Sequence, residues 1–128
     1  MQMLFQWDMS QQDVSRLESN FWKSAKAAAQ TRTFANQLFE GAANDAAGLD
    51  EIISKHAANW RLERISAIDR AILRLAMHEM RATDTPAKVV INEAVDLAKK
   101  FSSDDAGGFV NGILDTYRKT LHPEPADD

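Results

Sequence analysis

Apolar residues in the last third of the chain recur at the three- and four-residue spacing of an α-helix. From residue 88 to 101 they fall at positions i, i+4, i+7 and i+11, with polar and charged residues between them. The segment from 109 to 121 repeats this spacing. The pattern predicts two consecutive amphipathic helices. Their apolar faces consist of Val90, Ala94, Leu97 and Phe101 in the first helix and Val110, Leu114, Tyr117 and Leu121 in the second.

The same periodicity continues through the rest of the chain, which shows no β-strand pattern and is predicted to be all-α, with about seven helices. The first helix is expected to end near Met9, after Leu4 and Trp7 on one side. The Ser10 hydroxyl is expected to cap a second helix that reaches about Ala27, with Asp13 in its first turn.

A third helix is expected to begin at Thr31 or Thr33 and to end at Gly48, before a short fourth helix over residues 49–58. The residues predicted to share the apolar face of the third helix are Phe34, Leu38 and Ala42.

Stronger start signals mark the three C-terminal helices. Ser66 is expected to cap the fifth, with Asp69 three residues on in an approximate capping box, and Pro86 suits the first position of the sixth. Ser103 is expected to open the seventh. The predicted apolar stripe of the fifth helix is Ile65, Ile68, Ile72, Leu75 and Ala76.

Length and composition predict one soluble domain. The 128 residues are 45% hydrophobic, and no apolar run is long enough to span a membrane. There is no signal peptide and no cysteine, so a disulfide or thiolate metal site is excluded and a cytoplasmic location is expected. The net charge of −4 argues against broad, sequence-independent nucleic-acid binding but leaves room for a local basic site.

No constellation for catalysis is present in the sequence. The three histidines, His56, His78 and His122, lack metal-ligand spacing, and Gly107-Gly108 is a lone glycine pair and not a phosphate-binding loop. We therefore expect a protein that is not an enzyme and needs neither a metal nor another cofactor.

Three blocks of sequence carry a family resemblance. They are Leu4-Phe-Gln-Trp-Asp8, the segment 59–79 that begins Asn-Trp-Arg-Leu-Glu-Arg, and the segment 88–115 with Lys-Val-Val-Ile-Asn-Glu-Ala and Phe-Val-Asn-Gly-Ile-Leu-Asp. In this order and spacing they resemble the NusB family of bacterial transcription antitermination factors, over roughly residues 1–121. The resemblance implies a bundle of two small helical subdomains that divide near residues 60–64. It leaves residues 122–128 as an acidic, proline-containing tail without fixed structure.

The resemblance also implies a partner-binding surface on the fifth helix. In NusB-like proteins this helix helps to contact NusE, a ribosomal protein of the small subunit that also acts in transcription. On the side away from the apolar stripe, Leu73 and Met77 lie among charges, as partner-binding surfaces often show. A solvated charged face is the alternative. The candidates are Asp69, Arg70, Leu73, Arg74, Met77, His78 and Arg81.

NusB-like proteins further bind the boxA element of ribosomal RNA leaders near the turn before the last helix, together with the first helix. A phenylalanine ring can stack on an unpaired base and lysines can neutralise phosphate. Phe101 is expected to be a core residue, whereas Phe5 could equally be a core residue or a base contact. Gly108 could contribute only its backbone. The RNA-binding candidates are Gln2, Phe5, Lys99, Lys100, Asp105, Gly108 and Phe109.

The N-terminus departs from the family pattern, because the first helix is shortened and no basic residue precedes Arg16, where relatives carry an arginine-rich stretch. Three functions remain open. The first is an antitermination factor that binds boxA-type RNA with NusE and joins the antitermination complex on RNA polymerase, as a monomer or weak homodimer. The second is a protein-only adaptor that binds NusE but not RNA. The third is a fragment of an RNA methyltransferase with a NusB-like domain.

Overall fold

A computed structural model describes residues 1–57 and 65–121 of the chain. Within these ranges there are seven α-helices and no β-strand, which confirms the predicted all-α class. The tail at 122–128 and the division expected near 60–64 lie outside the described residues. The helices are α1 (Gln2–Ser10), α2 (Val14–Ser24), α3 (Ala29–Asn44), α4 (Ala46–His56), α5 (Ala67–Ala82), α6 (Ala87–Phe101) and α7 (Asp104–Leu121).

The first helix boundary differs from the prediction. Ser10 is the last residue of α1, and its hydroxyl donates to the Gln6 carbonyl. Asp13 is the N-cap of α2, since its carboxylate accepts the Arg16 backbone N–H at 3.3 Å. The expected extension to Ala27 is wrong, because the backbone is already extended at Ala25.

The third and fourth helices also meet at a different place. The α3 helix begins at Ala29, before either threonine, and Gly48 lies inside α4 instead of ending α3. Leu38 and Ala42 are buried as predicted, but Phe34 is 44% exposed. Phe39 takes its place in the core, so the buried face of α3 is rotated from the predicted one.

Helix α5 is the centre of the fold. It contacts every other helix except α2, whereas α6 contacts only α5 and α7 among the described residues. The predicted cap is confirmed, since the Ser66 hydroxyl accepts the Asp69 backbone N–H at 3.1 Å. Leu73 and Met77 are fully buried at its middle, where the N-terminal and C-terminal helices meet.

The two C-terminal helices pack largely as their pattern predicts. Val90 and Ala94 of α6 and Val110, Leu114 and Tyr117 of α7 are buried, while Leu97 and Leu121 are half-buried. Phe101 is 37% exposed, so the expected core position is wrong. The ring lies in the final residue of α6, where no further helical turn follows to cover it.

The approach of α3 to α5 depends on a glycine. A β-carbon at Gly41 would overlap the imidazole of His78, whereas a β-carbon at Gly112 of α7 would meet no atom within 4 Å. Gly41 therefore leaves the space that the His78 ring occupies. Burial of this ring lowers the pKa of His78 below its ordinary value of 6.5.

We expect Gly41→Ala to reduce the free energy of unfolding by about 1–3 kcal/mol, because the methyl group forces the two helices apart. Urea denaturation monitored by circular dichroism measures the change. Gly112→Ala is the matched control and should be neutral or stabilising, by up to about 1 kcal/mol. If His78→Ala fails to restore stability to the Gly41→Ala protein, the clash is not the cause.

Candidate nucleic-acid and protein interfaces

Packing of α6 on α7 brings several of the RNA-binding candidates together. A β-carbon at the buried Gly107 would lie 2.8 Å from Lys99 Cε and 3.0 Å from its Cγ, so the Lys99 stem crosses the first turns of α7. Beside it, Gly108 is exposed and a β-carbon there would meet nothing within 4 Å. Lys99 and the open backbone at Gly108 thus share one corner of the molecule.

A cleft of about 260 Å³ lies at this corner, between the starts of α5 and α7. Asp105 and the half-buried Phe109 line it, as does Asp69, which the sequence had suggested for partner binding. The Asp69 Oδ1 atom is enclosed and has no hydrogen-bond partner among the described residues. The complete lining is Ile65, Ser66, Asp69, Ser103, Asp105, Ala106 and Phe109.

Phe101 adds an aromatic ring to the same end of α6. The Lys100 ammonium lies 5.3 Å from the centroid of this exposed ring, in a cation–π arrangement. The sequence assigned Phe101 to the core because its helical register matches Val90 and Ala94. Its place at the end of the helix, just before Ser102, was the signal that it could be exposed.

Gln2 and Phe5 form a separate patch. Gln2 is exposed beside a groove between α1 and α2, and Phe5 is half-buried against the core. Helix α1 contacts α2, α3 and α5 but not α7 in the part of the chain that the structure describes. The structure therefore groups five of the seven RNA-binding candidates and leaves these two on another surface.

The predicted partner surface on α5 requires a correction. Leu73 and Met77 are fully buried, so they cannot be the exposed apolar residues of an interface. The face that carries them turns towards α1, α3 and α4, which cover it. Periodicity identified a second face on α5 but could not show that other helices would bury it.

Charged residues on this buried face are paired within the protein. Arg74, only 4% exposed, donates to both carboxylate oxygens of Asp50 at 2.7 and 2.6 Å and to Asp8 Oδ1 at 3.2 Å. Arg70 donates to Asp8 Oδ2 at 2.7 Å, and Arg81 pairs with Asp45. His78 packs against Gly41 of α3. Four of the predicted partner residues, Arg70, Arg74, His78 and Arg81, therefore help to hold the helices together.

The Asp8 carboxyl shows the strength of this pairing. Burial raises its pKa, but the hydrogen bonds and charges of Arg70 and Arg74 outweigh burial and hold the pKa below the ordinary value of 3.8. Because the folded pKa is depressed, the stabilisation is present above the ordinary value and is lost as pH falls through the folded one.

A different edge of α5, along its seam with α6, is partly exposed. Leu75 and Leu97 are half-buried there and line a shallow groove with Glu79 and Glu93. Burial, followed by the charge of Glu93, raises the pKa of Glu79, although a hydrogen bond with Thr85 opposes the shift. Sequence reasoning missed this seam because Leu75 belongs to the predicted apolar stripe, of which only Ile65, Ile72 and Ala76 are buried.

Two kinds of feature are absent from the described residues. They contain no group of three or more histidine, aspartate or glutamate side chains that could hold a metal ion. No helix among them is both long and apolar enough to cross a lipid bilayer.

Known proteins match nearly the whole chain. The profile of the NusB family matches residues 1–119. A transcription antitermination protein NusB from Koribacter versatilis is 43% identical over 126 residues, which are 97% of this chain and 86% of that protein. The chain belongs to the NusB family. The resemblance carried by the three sequence blocks is thereby confirmed.

Solved structures of the NusB family share the fold. Thermotoga maritima NusB superposes with a TM-score of 0.81 at 32% identity, covering 92% of this chain and 84% of that one. A chain in a crystal structure of the antitermination factors NusB and NusE with double-stranded RNA gives a TM-score of 0.80 at 29% identity, covering 92% and 89%. These comparisons favour the antitermination function over the protein-only adaptor.

We expect Arg74→Ala to cost about 3–5 kcal/mol of stability, because it leaves two carboxylates without their buried partner. Arg74→Glu should be at least as damaging, because it places a third carboxylate beside Asp8 and Asp50. Thermal and urea denaturation measure the loss. The control is Arg81→Ala, which removes a more exposed ion pair and should cost under about 1 kcal/mol. Equal stability of the two variants would show that the Arg74 network contributes little.

Proposed function

We propose that this NusB-family protein is a transcription antitermination factor that binds boxA-type single-stranded RNA together with NusE. The observation that carries the proposal is the family match over nearly the whole chain to proteins named for transcription antitermination. The solved complex of related NusB and NusE with double-stranded RNA supports NusE and RNA as the two partners. The protein would act by binding and assembly in the cytoplasm, without covalent chemistry, as part of the antitermination complex on RNA polymerase at ribosomal RNA operons.

For RNA binding, the corner between α6 and α7 offers complementary groups. Lys99 and Lys100 supply positive charge for phosphates in a protein whose net charge is negative. The partly exposed rings of Phe101 and Phe109 offer faces for unstacked bases. The Asp105 carboxylate can accept hydrogen bonds from base amino groups, which a duplex would already have paired.

The proposed RNA surface could continue on α1. Gln2 has an exposed amide that can donate and accept hydrogen bonds, and the half-buried Phe5 presents part of its ring. Since α1 and the α6–α7 corner are separate patches, a strand that reached both would have to be extended. We propose that an extended RNA strand contacts Gln2 and Phe5 through these exposed groups.

For NusE, we propose the seam of α5 and α6 in place of the buried face. Leu75 and Leu97 provide half-exposed apolar surface, and the exposed Glu93 borders it with negative charge. A partner segment with apolar and basic side chains would complement both properties. Asp69, at the cleft near the start of α5, stays a candidate for the edge of this contact.

We expect Phe109→Ala to weaken binding of a labelled boxA-type RNA by about 1–3 kcal/mol, the range for loss of one base–aromatic stack. Fluorescence anisotropy with and without NusE, at two salt concentrations, measures it. The matched control is Phe34→Ala, which removes an exposed ring on α3 and should leave RNA affinity unchanged. NusE binding without RNA affinity in the unmodified protein would instead favour the adaptor.

Charge reversal should separate the two candidate partner surfaces. Glu93→Lys places a positive charge at the seam and should weaken NusE binding by tenfold or more, about 1.4 kcal/mol, while leaving the fold intact. Isothermal titration calorimetry measures the affinity, with the exposed Glu51→Lys on α4 as the control. An unchanged affinity of Glu93→Lys for NusE would exclude the seam as the NusE-binding surface and favour the Asp69 cleft instead.

A further inference from the structure

The segment that contains α2 and most of α3 is basic, in a protein that is acidic overall. Acidic residues outnumber basic ones by 19 to 15 in the whole chain, yet between Val14 and Phe39 there are four basic residues and one acidic residue. The acidic one, Glu18, is only 9% exposed. The four basic residues, all of them exposed, are Arg16, Lys23, Lys26 and Arg32. This part of the surface therefore presents positive charge.

Two of these basic residues line a groove of about 510 Å³ between α2 and α3. Neither Lys23 nor Arg32 forms an ion pair with a carboxylate among the described residues, whereas the arginines of α5 are all paired. Their charges are therefore available to an anion from outside the chain. The groove also contains Ser15, Glu18, Ser19, Trp22 and Asn36.

A tryptophan on the wall of this groove is fixed by its neighbours. Trp22 Nε1 donates to Asn36 Oδ1 at 2.7 Å, and the Phe21 ring packs edge-on with the two centroids 4.9 Å apart. The Arg32 guanidinium lies 5.1 Å from the Trp22 centroid, in a cation–π arrangement. Since Arg32 is exposed, its planar guanidinium is a surface on which an unpaired base can stack.

Cationic and flat side chains along one groove are the combination that binds single-stranded nucleic acid, because the charges follow the phosphates while the bases stack. The exposed hydroxyls of Ser15 and Ser19 can hydrogen-bond to sugars and base edges. Burial raises the pKa of Glu18 to about 7, so this carboxyl opposes phosphate less than an exposed glutamate would. An acidic peptide would use the two positive charges but not the stacking surface, and RNA therefore fits more of the groove.

The groove is next to the surface of α1 that we propose for RNA. A second groove, between α1 and α2, is lined by Gln2. Residues of α2 alternate between the two grooves, since Asn20 and Ser24 line the one with α1, whereas Trp22 and Lys23 line the one with α3. A strand that contacts Gln2 therefore has only one helix to cross before it reaches the basic groove.

We propose that the groove between α2 and α3 binds the single-stranded RNA that flanks the boxA-type element. This inference rests on the proposed function, because the element, bound elsewhere on the protein, brings the flanking strand to the groove. Lys23 and Arg32 supply positive charge for its phosphates, and Arg32 over Trp22 stacks on a base. These contacts add affinity with little sequence preference, since every base has a face that can stack.

Two labelled RNAs test the groove on the full chain. One is a boxA-type element alone, and the other is the same element extended at each end by about eight unpaired nucleotides, a length within the usual site sizes for single strands. Fluorescence anisotropy with NusE present, at several salt concentrations, measures both affinities. We expect Lys23→Ala/Arg32→Ala to bind the extended RNA about tenfold more weakly, with a salt slope shallower by about 1.4, as for two lost phosphate contacts. Its affinity for the element alone should not change.

The matched control is Lys55→Ala/Lys88→Ala, which removes two exposed positive charges from α4 and α6 and should bind the extended RNA like the unmodified protein. Arg32→Lys keeps the charge without the planar group, so it should keep the salt slope but lose affinity for the extended RNA.

Equal affinity of the groove variant and the control for the extended RNA would overturn the proposal. If the groove variant then lost binding of a labelled polyglutamate peptide, the groove would be assigned to an acidic protein segment instead. Failure of the element alone to bind in the presence of NusE would reject the proposed function. The groove is judged separately, by the comparison of the two variants on the extended RNA.

Discussion

The buried guanidinium of Arg74 is the interaction on which the arrangement of helices depends. From the centre of α5 it reaches Asp50 of α4 with two hydrogen bonds and Asp8 of α1 with a third, while Arg70 completes the pairing of Asp8. A buried charge that loses its partner is strongly destabilising. The N-terminal helices must therefore take up positions that deliver both carboxylates to α5. Leu73 and Met77 on the same face are sealed from solvent as a result.

This internal use of charge decides which surfaces are left for partners. With Arg70, Arg74 and Arg81 paired to aspartates, the open edge of α5 is the one it shares with α6, where leucines lie beside glutamates. Free basic groups collect instead at the end of α6, where Lys99 crosses Gly107 and Lys100 lies over Phe101. The two surfaces that we propose, the seam for a basic protein segment and the α6–α7 corner for RNA, are therefore separate.

Two close contacts elsewhere in the fold depend on glycine, which has no side chain to obstruct them. Gly41 lets α3 approach the His78 ring, and Gly107 lets the Lys99 stem cross α7.

The sequence alone determined the all-α class, most helix positions, the Ser66 cap and membership of the NusB family, because helical periodicity, capping and family motifs are local properties. It also identified the residues of the α6–α7 corner. It could not determine which faces of α5 would be covered, since Leu73 and Met77 have the same pattern whether they meet solvent or other helices. The tertiary structure decided the exposure of Phe101 and Phe34 and the pairing of Arg74 with Asp8 and Asp50. Each depends on residues far apart in the chain, or on where a neighbouring helix ends, and no local pattern encodes that.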